Sequence, residues 1–243
     1  MNFFKRATPL GDFSSIALDV HSHLLPGLDD GAKDFPMAVE MVAGLKELGF
    51  RKLVTTPHIY KEYYPNNRDE ILRQGEALNK ALVAAGVDLE VQPCAEYYLD
   101  EHFDELLEKD ELLSFGGDKK YVLVEASFFG PPARLEEQIF RMRTKGYTPV
   151  LAHPERYMVW MSKRWQLQRL KDLGCLLQLN LLSLVGYYGK EIKKQARSFV
   201  KQGLIDFYGT DAHDPRHVEM LKEWVKSAES SILAQVHGVR VKG

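Results

Sequence analysis

The chain places two histidines and a carboxylate at alternate positions in Asp19-Val20-His21-Ser22-His23, directly after the apolar run Ile16-Ala17-Leu18. In an extended strand successive side chains point to opposite faces, so Asp19, His21 and His23 share one face. Neutral imidazole is the commonest protein metal ligand, and a carboxylate two residues back either joins it or orients it from behind. Taken alone, His-x-His fits a pair of half-buried core histidines as well as it fits a metal site. The rest of the chain tips that balance. His58, Glu96, Glu125, His153 and the pair Asp211-Ala212-His213 each end an apolar, strand-like run, and Asp30 lies in the loop after His23. Five of the eight histidines therefore sit at strand ends, which core packing does not explain. Nine donors exceed the needs of one ion, since zinc takes about four ligands and octahedral manganese or iron about six with waters included. Two or three divalent ions account for them. Four carboxylates against three such ions leave the pocket about two charges positive, which suits a phosphate dianion. An oxygen-rich donor set without cysteine makes manganese or iron at least as fitting as zinc.

Such residues need a scaffold that brings strand ends together. Strand-like and helix-like segments alternate along the whole length, which predicts a parallel sheet or barrel with helical crossovers. Seven strands are expected, ending near His21-Ser22-His23, Pro57-His58, Glu96, Glu125, Ala152-His153, Asn180 and Asp211. Between them the pattern predicts helices from Pro36 to Leu48, Asp69 to Ala85, Asp100 to Leu113, Arg134 to Lys145, Lys163 to Leu173 and Lys190 to Lys201, and across 218–234. In parallel α/β barrels the reacting groups project from the C-terminal ends of the strands. A strand count one short of eight predicts a distorted barrel, with an open doubly wound sheet as the alternative. No linker or repeat interrupts the series, so residues 15–243 read as a single domain preceded by an extension of residues 1–14 in which Phe3 and Phe4 dock.

Composition excludes several classes. The net charge of −2, from 32 basic and 34 acidic side chains, leaves no footprint for nucleic acid or an anionic membrane. No run approaches the roughly 18 apolar residues of a membrane span, and the N-terminus lacks the apolar region of a secretory signal, so a cytoplasmic location is expected. Cys94 and Cys175 lie in strand-like runs and read as core residues. Neither is followed by the arginine that a cysteine-based phosphatase loop requires. His102 and the charges around it read as a solvated helix face.

The segments His21-Ser22-His23 with Leu25 to Asp34, Thr56-Pro57-His58, Ala95-Glu96-Tyr97-Tyr98, Val124-Glu125, Ala152-His153-Pro154-Glu155-Arg156-Tyr157 and Thr210-Asp211-Ala212-His213, in that order, resemble the PHP (polymerase and histidinol phosphatase) superfamily. Within it the resemblance is to the bacterial capsule-associated, manganese-dependent protein-tyrosine phosphatases. It implies a distorted (β/α)7 TIM-like barrel and a trinuclear ligand set of His21, His23, Asp30, His58, Glu96, Glu125, His153, Asp211 and His213. It also implies that Arg156 holds the substrate phosphate, and that the substrate is a phosphotyrosine protein, the tyrosine-rich tail of a kinase serving polysaccharide assembly. The chain departs from some relatives in carrying Ile59-Tyr60-Lys61 after His58 in place of a basic pair, with Lys61 covering part of that role.

The expected chemistry is phosphomonoester hydrolysis by metal-bound hydroxide. Arg156 would clamp phosphate oxygens in a bidentate fork, against the alternative of a surface pairing with Glu155. Arg216 is a second candidate for phosphate, or equally a surface arginine at a helix start. A phenolate leaves readily, so the demand for a general acid is modest; His58 or Asp211 would serve only if not fully taken by metal. Tyr60, Tyr63, Tyr64, Phe128, Phe129, Tyr157, Tyr187 and Tyr188 follow strand ends and could flank a substrate ring, although local packing explains each one alone. Asn180 orients water or phosphate, or satisfies a turn. Asp19 is expected to back a ligand histidine. A small-molecule phosphatase of the histidinol-phosphatase type and a non-catalytic, metal-stabilised regulatory module are the competing functions.

Overall fold

The computed structural model describes residues 8–130, 134–157 and 164–234. Phe3, Phe4 and the first half of the expected N-terminal extension, residues 1–7, lie outside them, as do residues 235–243. The strands are β1 (Leu18–Asp19), β2 (Lys52–Thr55), β3 (His58–Ile59), β4 (Val91–Pro93), β5 (Glu96–Tyr98), β6 (Tyr121–Glu125), β7 (Thr148–Ala152), β8 (Leu176–Asn180) and β9 (Phe207–Gly209). The helices are α1 (Phe35–Glu47), α2 (Arg68–Ala84), α3 (Glu101–Glu108), α4 (Leu135–Thr144), α5 (Arg164–Asp172), α6 (Leu181–Val185), α7 (Lys190–Lys201) and α8 (Pro215–Val225). Every strand pair is parallel, in the orders β1-β2-β4 and β3-β5-β6-β7-β8-β9.

Nine segments appear where seven were expected because two passes are interrupted near prolines. Proline has no N–H for a ladder, and Pro57 separates β2 from β3 while Pro93 ends β4 before β5 begins. Pairing resumes across both breaks, with the Cys94 N–H on the Thr55 carbonyl at 2.8 Å and the Glu96 N–H on the Pro57 carbonyl at 3.1 Å. The bend carries His58 and Glu96 onto the same level, where they are direct register partners.

The sheet curls. Val20 donates to Tyr208, Asp211 to the His21 carbonyl (2.7 Å) and His23 to the Ala212 carbonyl (3.0 Å), so the first pass is bonded to the last as well as to β2. An open sheet would leave that pass as an edge on one side. Parallel strands covered on both faces read as continuous apolar runs, and Val122, Leu123, Val124, Val150, Leu151, Leu177 and Leu179 are all buried. The helices cover the outside.

Three boundaries differ from the sequence reading. The acidic helix α3 stops at Glu108, because Asp110 turns to φ 58° and Leu112 and Leu113 are drawn into the core. The last helix begins at Pro215, three residues early, and gives way after Val225 to a 3-10 turn over Ala228–Leu233. Phe13 is buried against Phe50 and Trp224, with ring centroids at 5.3 and 6.4 Å, so residues 10–13 belong to the packed body. No helix among the described residues is long and apolar enough to cross a membrane.

Candidate active site

The strand ends meet at one mouth of the curled sheet, and close backbone approaches fix them there. Gly31 lies where a Cβ would stand 2.3 Å from the His23 carbonyl oxygen, and a Cβ on Gly209 would stand 2.5 Å from the Cβ of His21. Only glycine fits either place. His153 and Asp211 adopt positive φ (33° and 50°), a strained backbone for residues with a side chain and one that collects at functional sites. Asp19 is fully buried. Its Oδ1 accepts the N–H groups of His21 (3.1 Å) and Thr210 (2.9 Å), and Oδ2 accepts the Thr210 hydroxyl (2.6 Å). It therefore ties the first pass to the last through their backbones and touches no imidazole, which corrects the expected role. Burial pushes its carboxyl up to about 6 against those hydrogen bonds.

Hydrogen bonds fix which nitrogen of each key imidazole is bare. His21 Nδ1 meets the Gln178 side-chain oxygen at 2.9 Å, His23 Nδ1 meets Asp29 Oδ2 at 2.7 Å, and His213 Nδ1 meets the Asp211 carbonyl at 2.8 Å. Each partner is an acceptor, so each Nδ1 carries a proton and Nε2 is the nitrogen that presents a lone pair when the ring is neutral. The bare nitrogens of His21 and His23 are 3.2 Å apart. Glu96 Oε2 stands 3.1 and 3.5 Å from them, and Asp211 Oδ1 3.3 and 3.1 Å. With both rings neutral these four atoms can only accept and cannot satisfy one another. Protons taken up by the rings satisfy the carboxylates in the metal-free protein; a divalent ion suits the same donor set and takes their place when it binds.

The remaining candidates extend the cluster. Glu96 Oε2 also faces His58 Nδ1 at 3.2 Å, while Oε1 faces His153 Nε2 at 3.1 Å. Glu125 lies 3.5 Å from His153, and Asp30 lies 3.7 and 3.6 Å from the Nε2 atoms of His58 and His213. His153 Nδ1 is buried with no hydrogen-bond partner. Four overlapping groups result, His23/Asp30/His58/His213, His21/His23/Glu96, His21/His153/Asp211 and His58/Glu96/Glu125, with the donor atoms of each within 4.8 Å of one another. The nine residues singled out from sequence thus converge.

Their charges are strongly shifted. Burial opposes a charge on His21, but the Glu96 and Asp211 carboxylates outweigh it and raise the ring to about 9. Burial and the charge of Glu96 push Glu125 far up, whereas burial and Arg156 lower His153 to about 4. Asp211, despite burial, is held well below the carboxylate range by the histidines around it, so it has no proton to give as a general acid.

Beside the cluster opens a cleft of about 430 Å³ whose wall includes Phe128, Arg156, Tyr187, Tyr188, Asp214 and His217. The Arg156 guanidinium lies between the rings of Phe128 (4.9 Å) and Tyr188 (4.3 Å) and donates to Asp211 Oδ2 at 3.1 Å. Glu155 is not its partner. That carboxyl is fully buried, accepts the Asn180 N–H and the Ser183 hydroxyl, and is pushed by burial up to about 7. Asn180 caps α6 through its oxygen and donates its amide to Asp211 Oδ2 at 2.7 Å, so it serves both the turn and the site.

Several expectations need correction. The Arg216 side chain is 86% exposed, is bonded to Asp214, and does not line the cleft. Tyr157 is fully buried and its hydroxyl accepts the Ala126 N–H, which makes it packing. Tyr64 stacks on His58 and Tyr60 on Tyr98, while Tyr63 and Phe129 are exposed. Lys61 is exposed near Glu105, and His102 pairs with the same glutamate on α3. Burial pushes both thiols, Cys94 and Cys175, up to about 12, which suits core residues and not nucleophiles. Sequence reasoning missed Asp29, Gln178 and His217 as parts of the site's framework. A signal existed for Gln178, which alternates with Asn180 on one face of the apolar strand β8.

Comparison with known proteins agrees with this geometry. The capsular polysaccharide synthesis family CpsB/CapC matches residues 17–228. The tyrosine-protein phosphatase YwqE of Bacillus subtilis (strain 168) is 34% identical over 197 residues, covering 81% of this chain and 77% of that protein. The tyrosine-protein phosphatase CpsB of Streptococcus pneumoniae is 28% identical over 202 residues, covering 81% and 83%. A crystal structure from the work on YwqE and CpsB, described as unique metal-dependent tyrosine phosphatases, matches at a TM-score of 0.80 and 30% identity, over 92% of this chain and 89% of that one.

Proposed function

The chain belongs to the CpsB/CapC family of capsular polysaccharide synthesis, and from that premise we propose that it is a metal-dependent tyrosine-protein phosphatase built on a distorted (β/α)7 barrel. The observation that supports the reading is the set of imidazole nitrogens and carboxylate oxygens facing one another at 3.1 to 3.5 Å, a set that suits divalent cations. His21, His23, Asp30, His58, Glu96, Glu125, His153, Asp211 and His213 hold two or three divalent ions, manganese first. Such ions, when bound, lower the pKa of water and neutralise the charge that develops on a phosphoryl group.

The protein's own groups do the rest. Arg156 offers its remaining N–H groups to phosphate oxygens, and its contacts with the rings of Phe128 and Tyr188 hold the guanidinium in the cleft wall. Phe128, Tyr187 and Tyr188 give the cleft aromatic walls against which a phenyl ring packs. A phenolate needs little help in leaving, which fits a site whose carboxylate beside Arg156 has no proton to give. The physiological substrate is the tyrosine-rich tail of a kinase serving polysaccharide assembly, and the enzyme works in the cytoplasm.

The test is hydrolysis of p-nitrophenyl phosphate, a phosphotyrosine peptide and histidinol phosphate by the purified protein, with metal content determined on the same sample. Activity removed by EDTA, restored by Mn²⁺, abolished in His21→Ala and retained in Cys94→Ser and Cys175→Ser is expected, with the peptide preferred. Faster turnover of histidinol phosphate would assign the small-molecule reaction instead. Bound ions without any hydrolysis would leave a regulatory module.

A further inference from the structure

One donor in the wall of the cleft has no task in the chemistry above. His217, in the first turn of α8, accepts the backbone N–H of His213 at Nδ1 (3.2 Å). A ring nitrogen that accepts carries no proton, so the proton of this imidazole is on Nε2. Nε2 is buried without a hydrogen-bond partner, and the residue, 6% exposed, lines the cleft. A buried N–H with no acceptor is costly and calls for an explanation. The neighbours do not provide one. Asp214 is engaged by the N–H groups of Arg216 and His217 and by the Arg216 guanidinium, and the rings of Tyr187 and His213 pack edge-on at 4.7 and 6.0 Å.

We propose that the Nε2–H of His217 donates a hydrogen bond to an oxygen of the substrate's phosphoryl ester, which makes His217 a substrate-contacting residue of the reaction proposed above. A nitrogen that carries a proton cannot ligate a metal, so His217 is not a tenth ligand of the cluster. The missing partner must be an acceptor, and ester and phosphoryl oxygens are acceptors only. Arg156 supplies a charged fork for the same group, and a neutral N–H adds a directed contact without further charge. Tyr187, half exposed and packed on the ring, is the side chain that gives way when ligand enters.

Two substitutions separate this role from that of a helix-terminal brace. His217→Asn keeps an oxygen for the His213 N–H and removes the donor, whereas His217→Gln reaches the Nε2 position with an amide N–H and loses the acceptor. We expect His217→Asn to keep metal content and melting temperature near wild type while kcat/KM on a phosphotyrosine peptide falls about tenfold. His217→Gln should melt lower but recover most of the activity. If the acceptor is a phosphoryl oxygen, the Ki of inorganic phosphate rises with the Asn variant and the loss is equal for phenyl and p-nitrophenyl phosphate. If it is the bridging oxygen, the Ki is unchanged and the loss is larger for phenyl phosphate, the poorer leaving group. Wild-type kcat/KM in His217→Asn, or a loss that tracks metal content or melting temperature, overturns the proposal. A wild-type protein that hydrolyses no phosphomonoester ends the phosphatase reading instead. His217 is then judged by calorimetric binding of inorganic phosphate to the Mn²⁺-loaded protein, where an unchanged dissociation constant in His217→Asn refutes the donor.

Discussion

Asp29 is the residue on which the claim about bare nitrogens can be tested without touching a donor atom of the cluster. Its Oδ2 accepts His23 Nδ1 at 2.7 Å and the His58 N–H at 3.0 Å, and Oδ1 accepts the Gly31 N–H at 2.9 Å. Burial works against its charge, but the charge of His23 outweighs that and lowers the carboxyl to about 2. Asp29→Asn keeps the shape but replaces one oxygen by an amide. With the oxygen kept toward His23, a charge-assisted hydrogen bond of about 1.5–3 kcal/mol becomes a neutral one of about 0.5–1.5, and the amide faces the Gly31 N–H. With the amide turned toward His23, Nδ1 must accept, the proton moves to Nε2, and that nitrogen no longer points a lone pair at Glu96 and Asp211. The milder case costs about 1–2 kcal/mol, or about 5- to 30-fold in metal affinity. That overlaps the 10- to 100-fold typical of carboxylates that orient ligand histidines. We expect the Mn²⁺ dissociation constant of Asp29→Asn, measured by chelator competition near neutral pH, to rise by about tenfold or more, with kcat largely restored at saturating Mn²⁺. Asp34→Asn is the control, since Asp34 only caps α1 and asparagine caps equally well. Wild-type affinity in Asp29→Asn would refute the assignment of the His23 proton and the reasoning built on it.

Two further outcomes follow from named contacts. Arg156→Lys cannot lie flat between Phe128 and Tyr188 or present a fork, so steady-state kinetics should show kcat/KM on a phosphotyrosine peptide down about 100-fold, or about 2.7 kcal/mol, at unchanged metal content; a loss under threefold would make the arginine structural. His21 is raised from 6.5 to about 9 in the fold. A raised imidazole stabilises fully below 6.5 and loses that contribution as pH climbs through 9. Metal-stripped protein should therefore melt progressively lower from pH 6.5 to 9, whereas Mn²⁺-loaded protein does not; a flat curve for the stripped protein would contradict the coupling of His21 to Glu96 and Asp211.

What the sequence disclosed was what period and residue type encode locally. A donor at the end of an apolar run is visible because a parallel strand terminates where its apolar run does, and eight of the nine cluster residues were found that way, Asp30 lying in the loop after His23. The interruption of two passes was not anticipated, although Pro57 and Pro93 stood in the sequence. Proline forbids a ladder bond without saying whether the chain ends or bends, and here pairing resumes on the far side. Arg156 and Arg216 looked alike as arginines shortly after a strand end. They differ in what surrounds them: Arg156 is clamped between Phe128 and Tyr188 across the cleft, whereas Arg216 follows its own N-cap, Asp214, and is held outward by it. Pairings across long stretches of chain, such as His21 with Gln178 and Asp19 with Thr210, leave no mark on local pattern.

Asp211 shows how these pairings join two halves of the site. Its Oδ1 faces the bare nitrogens of His21 and His23, and its Oδ2 collects Arg156, the Asn180 amide and the Tyr188 hydroxyl at 3.1, 2.7 and 3.3 Å. Three donors on one oxygen fix the plane of the carboxylate, so the other oxygen cannot turn away from the imidazoles. The same donors fix Arg156, because the Tyr188 that reaches Asp211 with its hydroxyl also stacks on the guanidinium. A phosphate that drew Arg156 toward itself would withdraw a donor from Oδ2 and leave more negative charge for Oδ1 to offer to cations. Under the proposed function, substrate grip and metal grip would be coupled through this one buried carboxylate, whose positive φ is a backbone strain of the kind that collects at functional sites.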